Sequence, residues 1–249
     1  TMLGFIRNDT DVGFYNAAVR IKVILLGVVT SLGVVLLPRL SYYIEHNMLD
    51  EFNIALNKSV NFIMLIALPV AIFFILFAKE TILVLAGENY MESILPLQIV
   101  MVTVVLVGIT NILGIQVLLP LKRDGALLIS VLIAAVVDIL LNLFFIPTLG
   151  ATGAAISTTV AELVVLIVQC YFVRNYLKVL FSKIQYVKII LAIITSSLIS
   201  KIFDEYFDFP LFVTLVISGV IFFLIYFLIL FLLKEKFLSD VIKKFKFTT

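Results

Sequence analysis

Four charged side chains lie where runs of apolar residues should not tolerate them. Asp138 and Glu162 sit deep in the greasy segments on either side of Pro147-Thr148-Leu149-Gly150, and Arg20 and Lys22 sit inside another. Charge facing lipid is costly, so acids this deep face a protein interior or a water-filled cavity and mark a candidate functional site. Helical spacing sorts the four. Arg20 and Lys22 are two residues apart and point to nearly opposite faces, Arg20 with Asn16, Gly27 and Ser31, Lys22 with Leu25, Leu26 and Val29. The polar, small stripe makes Arg20 the expected cavity cation, flanked by Asn16 and Ser31, and leaves Lys22 to snorkel. Asp138 and Asn142 are one turn apart on a face with Ala134 and Ala135; Glu162 shares its face with Thr158, Ala155 and Gln169. Measured from the Pro147 turn, the two acids lie at similar depth on antiparallel neighbours, so a cluster of Arg20, Asp138 and Glu162 is geometrically allowed. Such a cluster reads as a closed-state latch, a proton or sodium site, or a structural network, and a structural ion pair is the competing role for Arg20. Asn111 and Gln116 are weaker candidates, since amides in membrane helices commonly bond a neighbouring helix.

The elements that must carry these residues are membrane helices. The chain is 63% hydrophobic and 14% charged, with mean hydropathy +1.24, against roughly 45–50% apolar and 25% charged in soluble domains. Seven stretches are long enough to cross about 30 Å of hydrocarbon, near 14–38, 60–78, 96–119, 126–146, 152–174, 186–202 and 210–233. Between the first two, residues 41–58 alternate charge with Tyr43, Ile44, Met48, Phe52, Ile54 and Leu56, which predicts an amphipathic helix lying in the interface. His46, the one histidine, belongs to it as a solvated residue. The small residues Gly150, Ala151, Gly153, Ala154, Ala155 and Ser157 predict close approach of two helix backbones. Pro38, Pro96, Pro120, Pro147 and Pro210 are expected at helix ends. Pro69 instead interrupts the second span and predicts a kink, either a static bend or a hinge used in gating.

Loop charge alternates along the chain. Arg39 and Lys58, then Lys122 and Arg123, then Arg174, Lys178, Lys183 and Lys188, then the tail from Lys234 to Lys246 fall on one side. The opposite loops hold Arg7, Lys79 and Lys201 among Asp9, Asp11, Glu80, Glu88, Glu92, Asp204, Glu205 and Asp208. By the positive-inside rule the carboxyl terminus is cytoplasmic. The net charge of +2 says nothing about nucleic acid, and the single Cys170 cannot form an internal disulfide. Residues 2–6 read as the tail of a helix whose beginning is absent, so a fragment of a longer transporter is expected.

Four segments carry a family resemblance: Gly13-Phe14-Tyr15-Asn16-Ala17-Ala18, Leu36-Leu37-Pro38-Arg39-Leu40-Ser41, Ala86-Gly87-Glu88-Asn89-Tyr90, and Asn142 through Ile146-Pro147 to Gly153-Ala154-Ala155. Over residues 4 to 180 the chain resembles the carboxyl-terminal half of Wzx-type polysaccharide and O-antigen flippases, members of the multidrug/oligosaccharidyl-lipid/polysaccharide exporter superfamily. The resemblance implies an all-α, MATE-like transmembrane bundle, with residues 1–178 as the carboxyl-terminal lobe and 179–249 as two additional helices and a basic tail. It implies translocation of a lipid-linked oligosaccharide across the cytoplasmic membrane by alternating access, with the missing amino-terminal lobe as partner and no cofactor.

Shielding a hydrated diphosphate calls for fixed positive charge and hydrogen-bonding groups. Arg20, Asn16, Ser31, Asn111 and Asn142 are therefore the expected substrate contacts, and Asp138, Glu162 and Pro69 the expected ion-coupling or gating residues, with H+ or Na+ as the coupling ion. A membrane enzyme would need a large loop presenting acids or histidine, and no loop exceeds about 20 residues; no phosphate-cradling glycine loop or metal-spaced cluster appears either. A scaffold would explain the helices but not the four charges. A cation-coupled multidrug exporter and a lipid II flippase are the alternatives within transporters.

Overall fold

The computed structural model describes residues 2–181, 184–207 and 209–239, and these hold helices and no strand. Lys183, Asp208 and the basic tail beyond residue 239 lie outside the described residues. The helices are α1 (Met2–Ile6), α2 (Asp9–Glu45), α3 (Leu49–Leu76), α4 (Ala78–Leu85), α5 (Ile94–Asn111), α6 (Asp124–Phe172), α7 (Arg174–Phe181), α8 (Tyr186–Tyr206) and α9 (Leu211–Leu232). A 3-10 segment, Glu88–Ser93, leads into α5, and a π turn, Ile112–Leu118, follows it. Six of the helical segments are long and apolar enough to cross a bilayer.

One of the six is a hairpin. Within α6, Gly150 leaves the helical region (φ 54°, ψ −128°) and the chain reverses. Gln169 then donates through Nε2 to Ser130 Oγ at 3.3 Å, two residues that a straight helix would hold roughly 58 Å apart. The small residues after the turn permit this fold. A Cβ at Gly153 would stand 2.5 Å from the carbonyl oxygen of Phe145, so only glycine lets the second arm leave so close to the first. Counting its arms separately, the helices supply the seven apolar rods expected from the sequence.

Several boundaries differ from expectation. Pro38 and Pro147 lie inside helices rather than at their ends. In hydrocarbon a backbone has no water to bond once it leaves the helix, so losing one intrahelical bond at proline costs less than stopping there. Pro69 is likewise buried within an unbroken α3. Residues 41–58 form no separate interfacial helix: α2 runs to Glu45, Asn47 turns the chain with φ 57°, and α3 begins at Leu49. Their amphipathic pattern comes from protein packing, with Leu40, Phe52 and Leu56 wholly buried and the Phe52 ring 6.4 Å from that of Tyr176 on α7. That short α7 lies in what the sequence presented as a charged loop.

The chain divides into two units, residues 1–182 and 183–249. In the first, α5 packs against α2, α3 and α6. Gly108 marks a tight crossing there: a Cβ would lie 2.8 Å from Ile63 Cγ2 and 3.0 Å from Val29 Cγ1. The start of α2 is fixed by Asn8, whose side chain accepts from the Asp11 amide at 2.8 Å, with Asp9 and Asp11 complementing the first turn. In the second unit α8 and α9 pair, and Lys188 donates to the Lys234 carbonyl at 3.1 Å beyond the end of α9.

Candidate ion and substrate site

The inward face of α2 carries Tyr15, Ala18, Lys22, Val29 and Gly33, at intervals of three, four, seven and four residues, as one helical stripe requires. Lys22 is only 8% exposed, with Ala18 and Val29 buried on either side. Its ammonium is within electrostatic reach of the Glu162 carboxylate on the second arm of α6, with no direct ion pair between them. Asp138, on the first arm, acts on Glu162 with the same sign of charge. Tyr15 joins them, its hydroxyl 2.7 Å from Thr158 Oγ1 and within electrostatic reach of both acids. Asn142 donates to Asp138 Oδ2 at 2.9 Å, and Asp138 Oδ1 is buried with no hydrogen-bond partner.

The structure therefore unites Asp138 and Glu162 as expected but replaces Arg20 with Lys22 as the cation beside them. Arg20 is exposed, as are Asn16, Gly27 and Ser31. Ser31 donates to the carbonyl of Val28 on its own helix at 2.8 Å. The two stripes are separate, as expected, and the one that meets the two acids is the Lys22 stripe. Both contain small residues, and the small residues that decide the packing are Ala18 and Gly33, on the Lys22 side. Lys22 does not snorkel. Asn142 is engaged with Asp138. Asn111 lies elsewhere, where α2 at Gly33 meets the end of α5, and Pro69 is on α3, which packs on α2, α5 and α7. Tyr15 and Thr158 are site residues beyond those expected from the sequence. The signal for both was the seven-residue interval Tyr15 to Lys22 and the four-residue interval Thr158 to Glu162.

A second constellation clasps the tip of the hairpin. Arg7 donates through Nε to the Ile146 carbonyl and through Nη2 to the Thr148 carbonyl, both at 3.3 Å, and its Nε is 3.7 Å from Asp11 Oδ2. A cation thus meets the carbonyl end of the first arm, and the Asp11 carboxylate lies against Gly150 where the second arm begins, each complementing a helix dipole.

Chemically, the interior group offers two carboxylates, one ammonium, two hydroxyls and a carboxamide. Fully ionised it carries one net negative charge, which a proton or a monovalent cation would neutralise.

The profile of a family described as lipid II flippase MurJ matches residues 8–217. An O-antigen transporter of Escherichia coli (strain K12) is 31% identical over 177 residues, which are 70% of this chain and 42% of that protein. The low-salt glycan biosynthesis flippase Agl15 of Haloferax volcanii is 21% identical over 184 residues, 74% of this chain and 39% of the relative. The lipid II flippase MurJ of Treponema pallidum (strain Nichols) is 30% identical over 170 residues, 65% of this chain and 31% of the relative. A solved structure of lipid II flippase MurJ in its inward closed conformation superposes with TM-score 0.76 at 17% identity, covering 97% of this chain and 50% of that one. The chain thus spans half or less of the length of these relatives and has the helical membrane fold of that flippase. By its family match, this multi-pass membrane chain belongs to the MurJ lipid II flippase family.

Proposed function

We propose that this chain is the carboxyl-terminal lobe of a flippase that moves a lipid-linked oligosaccharide across the cytoplasmic membrane, by alternating access and without enzymatic chemistry. Residues 1–178 would form the lobe proper and 179–249 an appended helix pair, with the carboxyl terminus cytoplasmic and an amino-terminal lobe completing the cavity. The observation that carries the reading is the division of labour on α2: Lys22 is turned inward to Asp138 and Glu162, and Arg20 is turned outward with Asn16 and Ser31. Arg20 lies about three turns into α2, where a guanidinium facing lipid would be costly, so the stripe is assigned to the cavity. There the planar fork matches a diphosphate bidentately and keeps its charge when desolvated. The Lys22 group is assigned to ion coupling through binding of H+ or Na+, and because Arg20 and Lys22 ride on one helix, occupancy of one site biases the position of the other.

The test is flipping of a polyprenyl-diphosphate-linked oligosaccharide by the full-length protein in proteoliposomes, with and without proton or sodium gradients. Arg20→Ala is expected to abolish flipping at normal protein level, with Arg20→Lys restoring part of it. Lys22→Met is expected to lower protein level, since an unpaired buried charge costs about 3–5 kcal/mol, and Lys22→Met with Glu162→Gln is expected to restore level but not gradient dependence. Normal flipping by Arg20→Ala overturns the substrate assignment; a gradient-dependent double mutant overturns the coupling assignment. The O-antigen transporter and the lipid II flippase among the relatives share the chemistry of a lipid-linked sugar, and the same assay run with each donor separates them.

A further inference from the structure

We propose that ordered water occupies the interior around the π turn Ile112–Leu118, among Asn111, Gln116 and Gln169, and that this hydration makes the turn a hinge in the third span. The first half of this proposal rests on the geometry of the chain alone; the second rests on the flippase reading.

The π turn is bracketed by carboxamides whose bonding is incomplete. Gln116 is fully buried, and neither its Oε1 nor its Nε2 has a hydrogen-bond partner; the same holds for Asn111 Oδ1. Gln169, 2% exposed, donates to Ser130, and its Oε1 is buried without a partner. An unbonded buried polar atom costs about 1–3 kcal/mol, so four of them together would consume much of the net stability of a domain.

Two glycines let these amides approach the backbone closely. A side chain at Gly33 would collide with Asn111 Oδ1 and lie 3.3 Å from Gln116 Nε2, so these amides meet over the same glycine. On the other side, a Cβ at Gly114 would lie 3.2 Å from Gln169 Nε2 and 2.8 Å from Leu127 Cδ1. What fits such a set is a small molecule that donates two hydrogens, accepts two and needs two to four polar partners, which is water. None of the three residues carries the negative charge that would favour a cation instead. Single π turns occur mostly at functional positions. Relaxing one to α-helix shifts the following segment by about one residue, roughly 1.5 Å along and 100° around the axis. Water can exchange partners through that shift, whereas interlocked apolar side chains cannot.

The experiment exposes the full-length protein in lipid nanodiscs to brief X-ray pulses, which make hydroxyl radicals from bound water, and reads the products by mass spectrometry. Leu113 and Leu118 lie on the π turn and Leu97 lies in the first turn of α5, all three fully buried. Leu113 and Leu118 are expected to be modified several-fold faster than Leu97, and Gln116→Leu is expected to abolish that difference while raising the unfolding midpoint. Equal modification of the three leucines in the unaltered protein overturns the water site, as does protection of Leu113 by added sodium, which would make the guest a cation. For the hinge, Gln116→Leu is expected to slow flipping per folded molecule several-fold, and unchanged turnover overturns it. Flipping by the unaltered protein in the same vesicles checks the flippase reading separately, and the labelling result does not depend on it.

Discussion

Replacing Gly150 by alanine should cost this protein its hairpin tip. At φ 54° and ψ −128° the backbone occupies a region open to glycine and strained for any L side chain, by about 1–3 kcal/mol. The added methyl would also stand 2.9 Å from each carboxylate oxygen of Asp11, so Asp11 must swing away and loosen its pair with Arg7, worth up to about 1 kcal/mol at this partly exposed site. Together the loss is roughly 1–4 kcal/mol, or about 2–16 °C in unfolding midpoint at the usual 2–4 °C per kcal/mol for a chain of this size. The assay is thermal unfolding of the full-length protein in detergent, with Gly27→Ala as control, because a methyl at that exposed helical glycine meets nothing within 4 Å and should be neutral or slightly stabilising. The second variant separates strain from collision: Gly150→Ala with Asp11→Ala should recover only the collision part. A midpoint for Gly150→Ala within about 1 °C of the unaltered protein would refute the claim that glycine's backbone freedom makes this turn.

Gly108→Leu should destabilise by about 1–3 kcal/mol through overpacking against Ile63 and Val29, and a normal midpoint in the same unfolding assay would mean that the α2, α3 and α5 crossing has room to give. Tyr15→Phe removes the 2.7 Å bond to Thr158 and should cost about 0.5–1.5 kcal/mol, with Thr158→Val costing nothing further in the double mutant; additive losses would show that the two hydroxyls do not share one bond. Cysteines placed at Asn89 and Thr148 in a Cys170→Ser background should react with an impermeant maleimide from outside intact cells, and cysteines at Lys122 and Lys178 should not. The reverse pattern would invert the proposed orientation.

Much of the architecture was legible because the bilayer constrains it twice, through span length and through loop charge. The α6 hairpin was readable from Pro147 to Gly150 and from the small residues after it, although the reversal is made by Gly150 and not by the proline. What was not legible shares one cause: helical periodicity says which residues face together, not what they face. Residues 41–58 have the same pattern whether the apolar side meets lipid or α7, and the Arg20 and Lys22 stripes are equally plausible partners for the two acids until Ala18 and Gly33 are seen packed in the interior. Asp138 and Glu162 were placed correctly because a fixed turn gave a common origin from which to count depth. The π turn has no residue signature of its own, and the meeting of Asn111 and Gln116 with α2 at Gly33 is a contact between helices that local propensity does not show.

The α6 hairpin is fastened at both ends, by Arg7 across its tip and by Gln169 to Ser130 and Arg123 to the Phe172 carbonyl nearer its base. A structure closed in this way behaves as a strut: its arms cannot part or slide without breaking ties at one end. Mechanical work done on the lobe would therefore move the two arms as one body, carrying Asp138 on the first arm and Glu162 on the second together.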